Sequence, residues 1–270
     1  MKKKSLAARL YRATANVVEP FLPRGVRTPA HYLSRRLTNR LEAEYDFLMR
    51  RVTPGMTAVD VGANIGVFTY GFLARGANVV AIEPQPGCAS QIRAFHEMGF
   101  PRSAGRGSLD VHVEALGNQS GSAVLYVPLK NGKVDDESAS LKEAEGEALR
   151  IEVPVRKLDD YGLDNVQVLK MDVEGREIPA LEGGEGTIRS WRPTILVEIE
   201  QRHHDEPIAE VFARIHDIIG PGYETSFLGS NNELRPLKDF DVGRDQLALR
   251  DNPLSRAYVR NFFFIPGVVA

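Results

Sequence analysis

Two periods alternate along this chain. Short apolar runs of strand length give way to stretches whose apolar residues recur every three or four positions. The first run is Thr57–Val61, and a helical stretch over residues 65–75 follows it, closed by Gly76. A run at Asn78–Ile82, a helical stretch over 86–98 and a run at 109–115 come next. After an interruption the pattern resumes with Val166–Met171, a helix over 177–181, a run at 194–199 and the amphipathic stretch Ile208–Ile219. Runs at Tyr223–Leu228 and 260–265 complete it. Strand and helix in alternation predict an α/β fold: a doubly wound, mostly parallel sheet, with a late strand paired antiparallel at an edge.

The interruption begins at Gly117-Asn118-Gln119-Ser120-Gly121. Residues 122–128 and 150–155 alternate as the strands of an inserted β-hairpin. Between them, residues 129–149 are rich in Lys, Asp, Glu, Ser and Gly, and read as a mobile loop able to act as a lid. Upstream, residues 38–51 predict a helix with Thr38 as its N-cap and Leu41, Tyr45, Leu48 and Met49 on one face. Pro20, Pro23 and Pro29 mark an irregular link before it. Leu6, Leu10, Tyr11, Val17 and Val18 share a face of a basic helical arm, suited to packing on the domain, on a second copy in a homodimer, or weakly on a membrane surface. The expected organisation is an N-terminal helical arm, 1–37, and one domain, 38–270, carrying the insertion 117–157.

Composition narrows the partners. Lys plus Arg (34) nearly balances Asp plus Glu (36), so nothing pulls the chain toward nucleic acid over long range. No apolar run reaches the roughly 18–20 residues of a membrane span. Arg9 and Arg12 interrupt the stretch from Leu6 to Val18, which rules out a signal peptide. The single cysteine, Cys88, permits no intrachain disulfide, and a cytoplasmic location is expected. Cys88 itself reads as a small residue at a helix start, without a nucleophile's surroundings.

The candidate chemistry starts where the first strand meets its helix, at Asp60-Val61-Gly62-Ala63-Asn64-Ile65-Gly66. Ligands bind at the carboxyl ends of such strands. Gly62 is expected to clear space for a ligand, Gly66 to let the helix approach the strand, and the helix N-terminus to offer free N–H groups. A dinucleotide turn would read G-x-G-x-x-G, but Asn64 stands where its second glycine belongs. Asp60 would repel a pyrophosphate and would favour a sulfonium or ammonium group. The ligand that fits is a nucleoside with a cationic amino-acid tail, S-adenosyl-L-methionine. Glu83, at the tip of the second strand, is placed to accept both ribose hydroxyls, and Glu114 or Ala115 to meet the adenine.

These residues lie in segments that resemble the FkbM family of methyltransferases. The matching segments are VDVGANIGVFT (59–69), AIEPQP (81–86), EALGNQSGSAVLYV (114–127), SASL (138–141), VPVRKLDD (153–160), LKMDVEGREIPALEGG (169–184) and RPTILVEIE (192–200). The resemblance implies a seven-stranded Rossmann-like fold and methylation of a hydroxyl on a saccharide or similar small molecule, often in polysaccharide or secondary-metabolite pathways. Pro179 departs from the pattern and predicts a short or kinked helix after the motif.

Methyl transfer to a hydroxyl needs a general base. Lys170, Asp172 and Glu174 share one face at the end of an interior strand, an arrangement too costly to be idle. Asp172 is expected near the donor methyl or the acceptor hydroxyl, with Lys170 tuning it and Glu174 beside it. His203 is a further candidate base or acceptor-binding residue; His204 next to it should point elsewhere. No metal is assigned, although one histidine with Asp172 or Glu198 is a ligand set some O-methyltransferases use. Two other readings of the turn stand: an NAD-type oxidoreductase, and a cofactor-binding protein without chemistry.

Overall fold

The computed structural model describes residues 22–37, 43–101, 105, 107–130, 133–134, 139–142, 146–252 and 255–267. The predicted amphipathic arm before residue 22 and the Thr38 cap lie outside these. In chain order the elements are α1 (Arg24–Leu37), α2 (Ala43–Met49), β1 (Thr57–Val61), α3 (Val67–Ala74), β2 (Asn78–Ile82), α4 (Pro86–Glu97), β3 (Leu109–His112) and β4 (Ala115–Leu116). Next come β5 (Gly121–Lys130), β6 (Lys133–Val134), β7 (Ala148–Arg156), β8 (Val166–Met171), α5 (Glu177–Glu182), α6 (Glu185–Trp191) and β9 (Thr194–Glu198). The last are α7 (Ile208–Ile219), β10 (Tyr223–Leu228), β11 (Leu234–Pro236) and β12 (Asn261–Pro266).

The main sheet has eight strands in the order β11-β10-β12-β9-β8-β1-β2-β3. The five from β9 to β3 are mutually parallel. The chain winds outward from β1 to β3 and later returns beside β1 as β8, so the switch point lies between β1 and β8. Ala58, Val168 and Leu196 face α2, α3 and α4, whereas Val59, Val61, Leu169 and Val197 face α5 and α7. Alternating side chains thus cover both faces.

The sheet holds one strand more than the resemblance implied, the short edge strand β11. The antiparallel strand expected at an edge, β12, is interior, between β9 and β10. Its consecutive Phe262, Phe263 and Phe264 are all fully buried, which requires cover on both faces. Each such side chain contributes roughly 1.5–3 kcal/mol by leaving water. The run predicted at 109–115 is also two elements. The chain leaves the main sheet after His112, and Ala115 pairs with Val155 in a second sheet, β4-β7-β5-β6. The inserted hairpin is in register from Gly121↔Val155 to Pro128↔Ala148.

Pro29 does not break the chain into an irregular link; it sits inside α1. Tertiary contacts outweigh the lost backbone bond. The buried Thr28 hydroxyl donates to the Ile65 carbonyl and accepts from Gln91 Nε2 at 3.0 Å. Gly25 lies against Ala94 of α4, where an added Cβ would come within 2.5 Å of its carbonyl oxygen. Pro179 falls within the first turn of α5, where a proline is tolerated, and the helix is short as expected.

Candidate active site

The turn from β1 to α3 is shaped by its neighbours. Gly62 has φ +66°, and a Cβ there would stand 1.8 Å from the Asp172 carbonyl oxygen. Its smallness therefore admits the end of β8. Gly66, at φ +84°, admits α4: its Cβ would meet Ile92 and Phe95 at 2.9 Å. Gly66 thus makes room for α4 rather than for the strand behind it, and Gly62 makes room for β8.

Free N–H groups are not what the turn presents. The Gly62 and Ala63 amides both donate to Ile82 O at 2.9 and 3.2 Å, and Gly66 N donates to Ala63 O at 2.8 Å. Asn64 N donates to Glu83 Oε2 at 2.7 Å, and Ile65 N to Asn64 Oδ1 at 2.6 Å. Ala63 is buried under them. A pyrophosphate would need these donors, so the turn is not built for one.

Asp60 also sits differently from its expected place against the ligand. It is 0% exposed, beneath the turn. Its Oδ2 accepts from Thr69 N at 2.9 Å and from the Thr69 hydroxyl at 2.6 Å. Thr69 N is an orphan amide of the first turn of α3, and the N-cap Gly66 has no side chain to satisfy it. Asp60 therefore caps the helix from the strand behind it. Its Oδ1 lies 3.6 Å from Lys170 Nζ.

Lys170 is buried and bridges Asp60 to Asp172, whose Oδ2 is 3.7 Å away. Its ammonium donates to Gly62 O at 2.7 Å. Burial alone would lower its pKa, but Asp172, then Asp60, Glu198 and Glu83, outweigh that and raise it. Lys170 stays protonated and serves as a counter-ion.

A cleft opens above, at the carboxyl ends of β1, β2 and β8. Its empty space is about 630 Å³, open solvent at its mouth included. Gly62, Asn64, Glu83, Glu114, Ala115 and Asp172 all line it. Glu83 is 3% exposed, with its second oxygen accepting Gln85 N at 2.8 Å. Burial pushes its carboxyl up to about 7 against the pull of those two amides. A buried carboxylate with a displaced pKa in a cleft is a candidate functional position. Glu114 stands where the chain leaves the main sheet, and its Oε1 accepts the Tyr161 hydroxyl at 2.7 Å. From the insertion, Leu125, Ala139, Ser140 and Leu141 close the far wall.

Glu174 lines the same cleft, and its Oε2 lies 2.6 Å from His203 Nε2. His203 ends a one-turn 3₁₀ helix, Gln201–His203. That helix is anchored by the buried Glu200, which holds Arg202 at 2.7 Å and accepts the Tyr258 hydroxyl. Burial would raise the Glu200 carboxyl, but Tyr258 and Arg202 hold it below the usual range. His204 points away, to Glu177 Oε2 at 3.2 Å, as adjacent histidines should. Asp172, Glu174 and Glu198 each bring a carboxylate oxygen within 4.8 Å of the others. Each also has a basic neighbour: Lys170, His203 and, at 3.4 Å, Arg260. Of these three carboxylates, His203 lies nearest to Glu174.

Sequence reasoning missed Thr69, Tyr161 and Ser140. Thr69 was legible in principle, as a hydroxyl in the first helical turn after a strand acid. Tyr161 and Ser140 reach the cleft by tertiary contact, and no local pattern marks them.

The family model described as "Methyltransferase FkbM domain" matches residues 60–227. Among curated proteins, methyltransferase sdnD of Sordaria araneosa is 28% identical over 159 residues, covering 46% of this chain and 59% of that protein. Methyltransferase 1 of Beauveria bassiana is 27% identical over 146 residues, covering 46% of this chain and 57% of its own. The chain thus spans little more than half the length of these relatives. Among solved structures, the methyltransferase FkbM from Methylobacillus flagellatus KT is similar with a TM-score of 0.48 and 18% identity, over 94% of this chain and 58% of that one.

Proposed function

Because this chain belongs to the FkbM methyltransferase family, whose methyl donor is S-adenosyl-L-methionine, we propose that it transfers that methyl group to a hydroxyl of a saccharide or similar small metabolite. The observation that carries the reading is the Glu174–His203 contact at the rim of a cleft that holds Glu83.

Glu83 suits a vicinal diol. Each of its oxygens is oriented by one backbone amide and keeps a lone pair for one ribose hydroxyl. Glu114 and Ala115 take the adenine end. Asp172, with its Oδ2 3.7 Å from the Lys170 ammonium, faces the donor's positive charge. When bound, the donor supplies a methyl carbon made electrophilic by positively charged sulfur.

The acceptor hydroxyl must lose its proton as its oxygen takes the methyl. His203, whose Nε2 lies 2.6 Å from Glu174 Oε2 without hydrogen-bond geometry, receives that proton on a ring nitrogen. Glu174 stabilises the imidazolium so formed, as an orienting carboxylate does in a nucleophile–base–acid triad. Asp60 and Lys170 hold the turn and orient Asp172 without touching substrate.

The same reading takes 38–270 as the catalytic domain, working in the cytoplasm on polysaccharide precursors. No helix among the described residues is long and apolar enough to cross a membrane. The test is incubation with radiolabelled donor and separate pools of nucleotide sugars, glycans, lipids and protein. Base-stable label in a sugar-containing pool is expected; label confined to protein or to no pool overturns the acceptor assignment.

A further inference from the structure

The segment 139–142 of the insertion has no part in the reaction as described. Ala139, Ser140 and Leu141 wall the cleft opposite Gly62 and Glu83. The Ser140 backbone bridges to Tyr126 in both directions, at 2.8 and 3.0 Å, which ties the segment to β5 and to its cleft-lining Leu125. A wall alone would need only apolar side chains, as Ala139 and Leu141 supply. Ser140 has a different set of contacts. Its hydroxyl donates to the backbone carbonyl of Glu174 at 2.9 Å and accepts from Lys142 N at 3.0 Å.

Glu174 has φ 48°, a left-handed conformation that a long side chain seldom adopts and that its surroundings must hold. Its carbonyl is held by Ser140, and its carboxylate meets His203. Two residues on, Lys142 Nζ lies 3.4 Å from the His203 carbonyl oxygen and 3.2 Å from Asp205 Oδ1. One short segment therefore touches the donor cleft, the backbone of Glu174 and the backbone of His203.

We propose that Ser140 is a positioning residue: its hydroxyl couples the contact of residues 139–141 with a bound donor to the setting of the Glu174–His203 pair. The proposal rests on the donor and base assignments above. A molecule filling the cleft presses on residues 139–141, and through the Ser140 hydroxyl that contact fixes the Glu174 peptide and so its carboxylate. Donor binding and ordering of the base are then one linked equilibrium, each favouring the other by the same factor.

The test is hydrogen exchange of the full chain with and without S-adenosylhomocysteine, comparing unsubstituted protein, Ser140→Ala and Ser140→Thr. Segment 201–205 is the reporter, because it lies outside the cleft. In unsubstituted protein, the ligand is expected to slow exchange at 62–64, 83–85 and 201–205. At saturating ligand, Ser140→Ala should keep the first two effects and lose the third by about tenfold, the worth of one hydrogen bond, while ligand affinity falls by the same factor. Ser140→Thr, which retains the hydroxyl, should restore it. A purely structural role would loosen 201–205 equally with and without ligand. Retention of the ligand effect at 201–205 in Ser140→Ala overturns the coupling while leaving the donor site standing. No ligand effect at 62–64 and 83–85 in unsubstituted protein overturns the donor site and the coupling together.

Discussion

The backbone N–H of Asn64 donates to Glu83 Oε2 at 2.7 Å, joining the turn after β1 to the tip of β2. The Glu83 carboxylate, proposed above to receive a ribose diol, is thus oriented by the turn that borders the cleft. It is also nearly buried, and that combination gives the site a pH dependence.

Glu83 titrates at about 7 in this structure, against an ordinary 4.5, chiefly because burial disfavours its charge. Its contribution to the stability of ligand-free protein is therefore full below about 4.5 and is lost as pH rises through about 7. Donor binding has the opposite sign, because ribose hydroxyls bond to the ionised form. Donor affinity should rise about tenfold from pH 6 to pH 8, with proton release on binding. Calorimetry in buffers of different ionisation enthalpy measures both, and Glu83→Gln should flatten the profile.

Asp60 bears on stability more than on affinity. Asp60→Ala frees the Thr69 amide and removes one of the two close carboxylates of Lys170. Loss of one partner from a buried ion pair costs roughly 3–5 kcal/mol. Urea unfolding should show that loss; an unchanged midpoint would contradict a capping role.

Gly62→Ala should destabilise the protein without any ligand present. The new Cβ would stand 1.8 Å from the Asp172 carbonyl oxygen, at a φ that alanine adopts reluctantly. A cost of several kcal/mol is expected, enough to lower the melting temperature by about 5 °C or more. A melting temperature within a degree of the unsubstituted protein's would show that β8 yields to it.

His203→Gln should leave donor affinity within about threefold and reduce methyl transfer by about 10²-fold or more. Once a labelled acceptor is in hand, initial rates decide this. A rate fall below about threefold would transfer the base role to Asp172.

Much of the sheet was legible because buried strands and amphipathic helices carry their period locally. Thr57–Val61, Val166–Met171 and Ile208–Ile219 begin and end where the pattern does. The place of β12 was not legible, since pairing across the long gap from β9 leaves no local trace, although three consecutive buried phenylalanines hint at cover on both faces. At the site, Glu83, Glu114 and Asp172 reach the cleft because strand ends point there in any such fold. Asp60 was legible as significant but not in its role: a strand acid facing a ligand and one capping the following helix have the same sequence. The Ser140–Glu174 bond spans 34 residues between an insertion and the sheet, and only the folded chain brings them together.

Calorimetric titration of the full chain with S-adenosyl-L-methionine, beside NAD, tests the central claim most directly. The account predicts saturable binding of S-adenosyl-L-methionine in the micromolar range, weakened at least about tenfold by Glu83→Gln, and no binding of NAD. Equal affinity in the Glu83→Gln variant, or tighter binding of NAD, would contradict it.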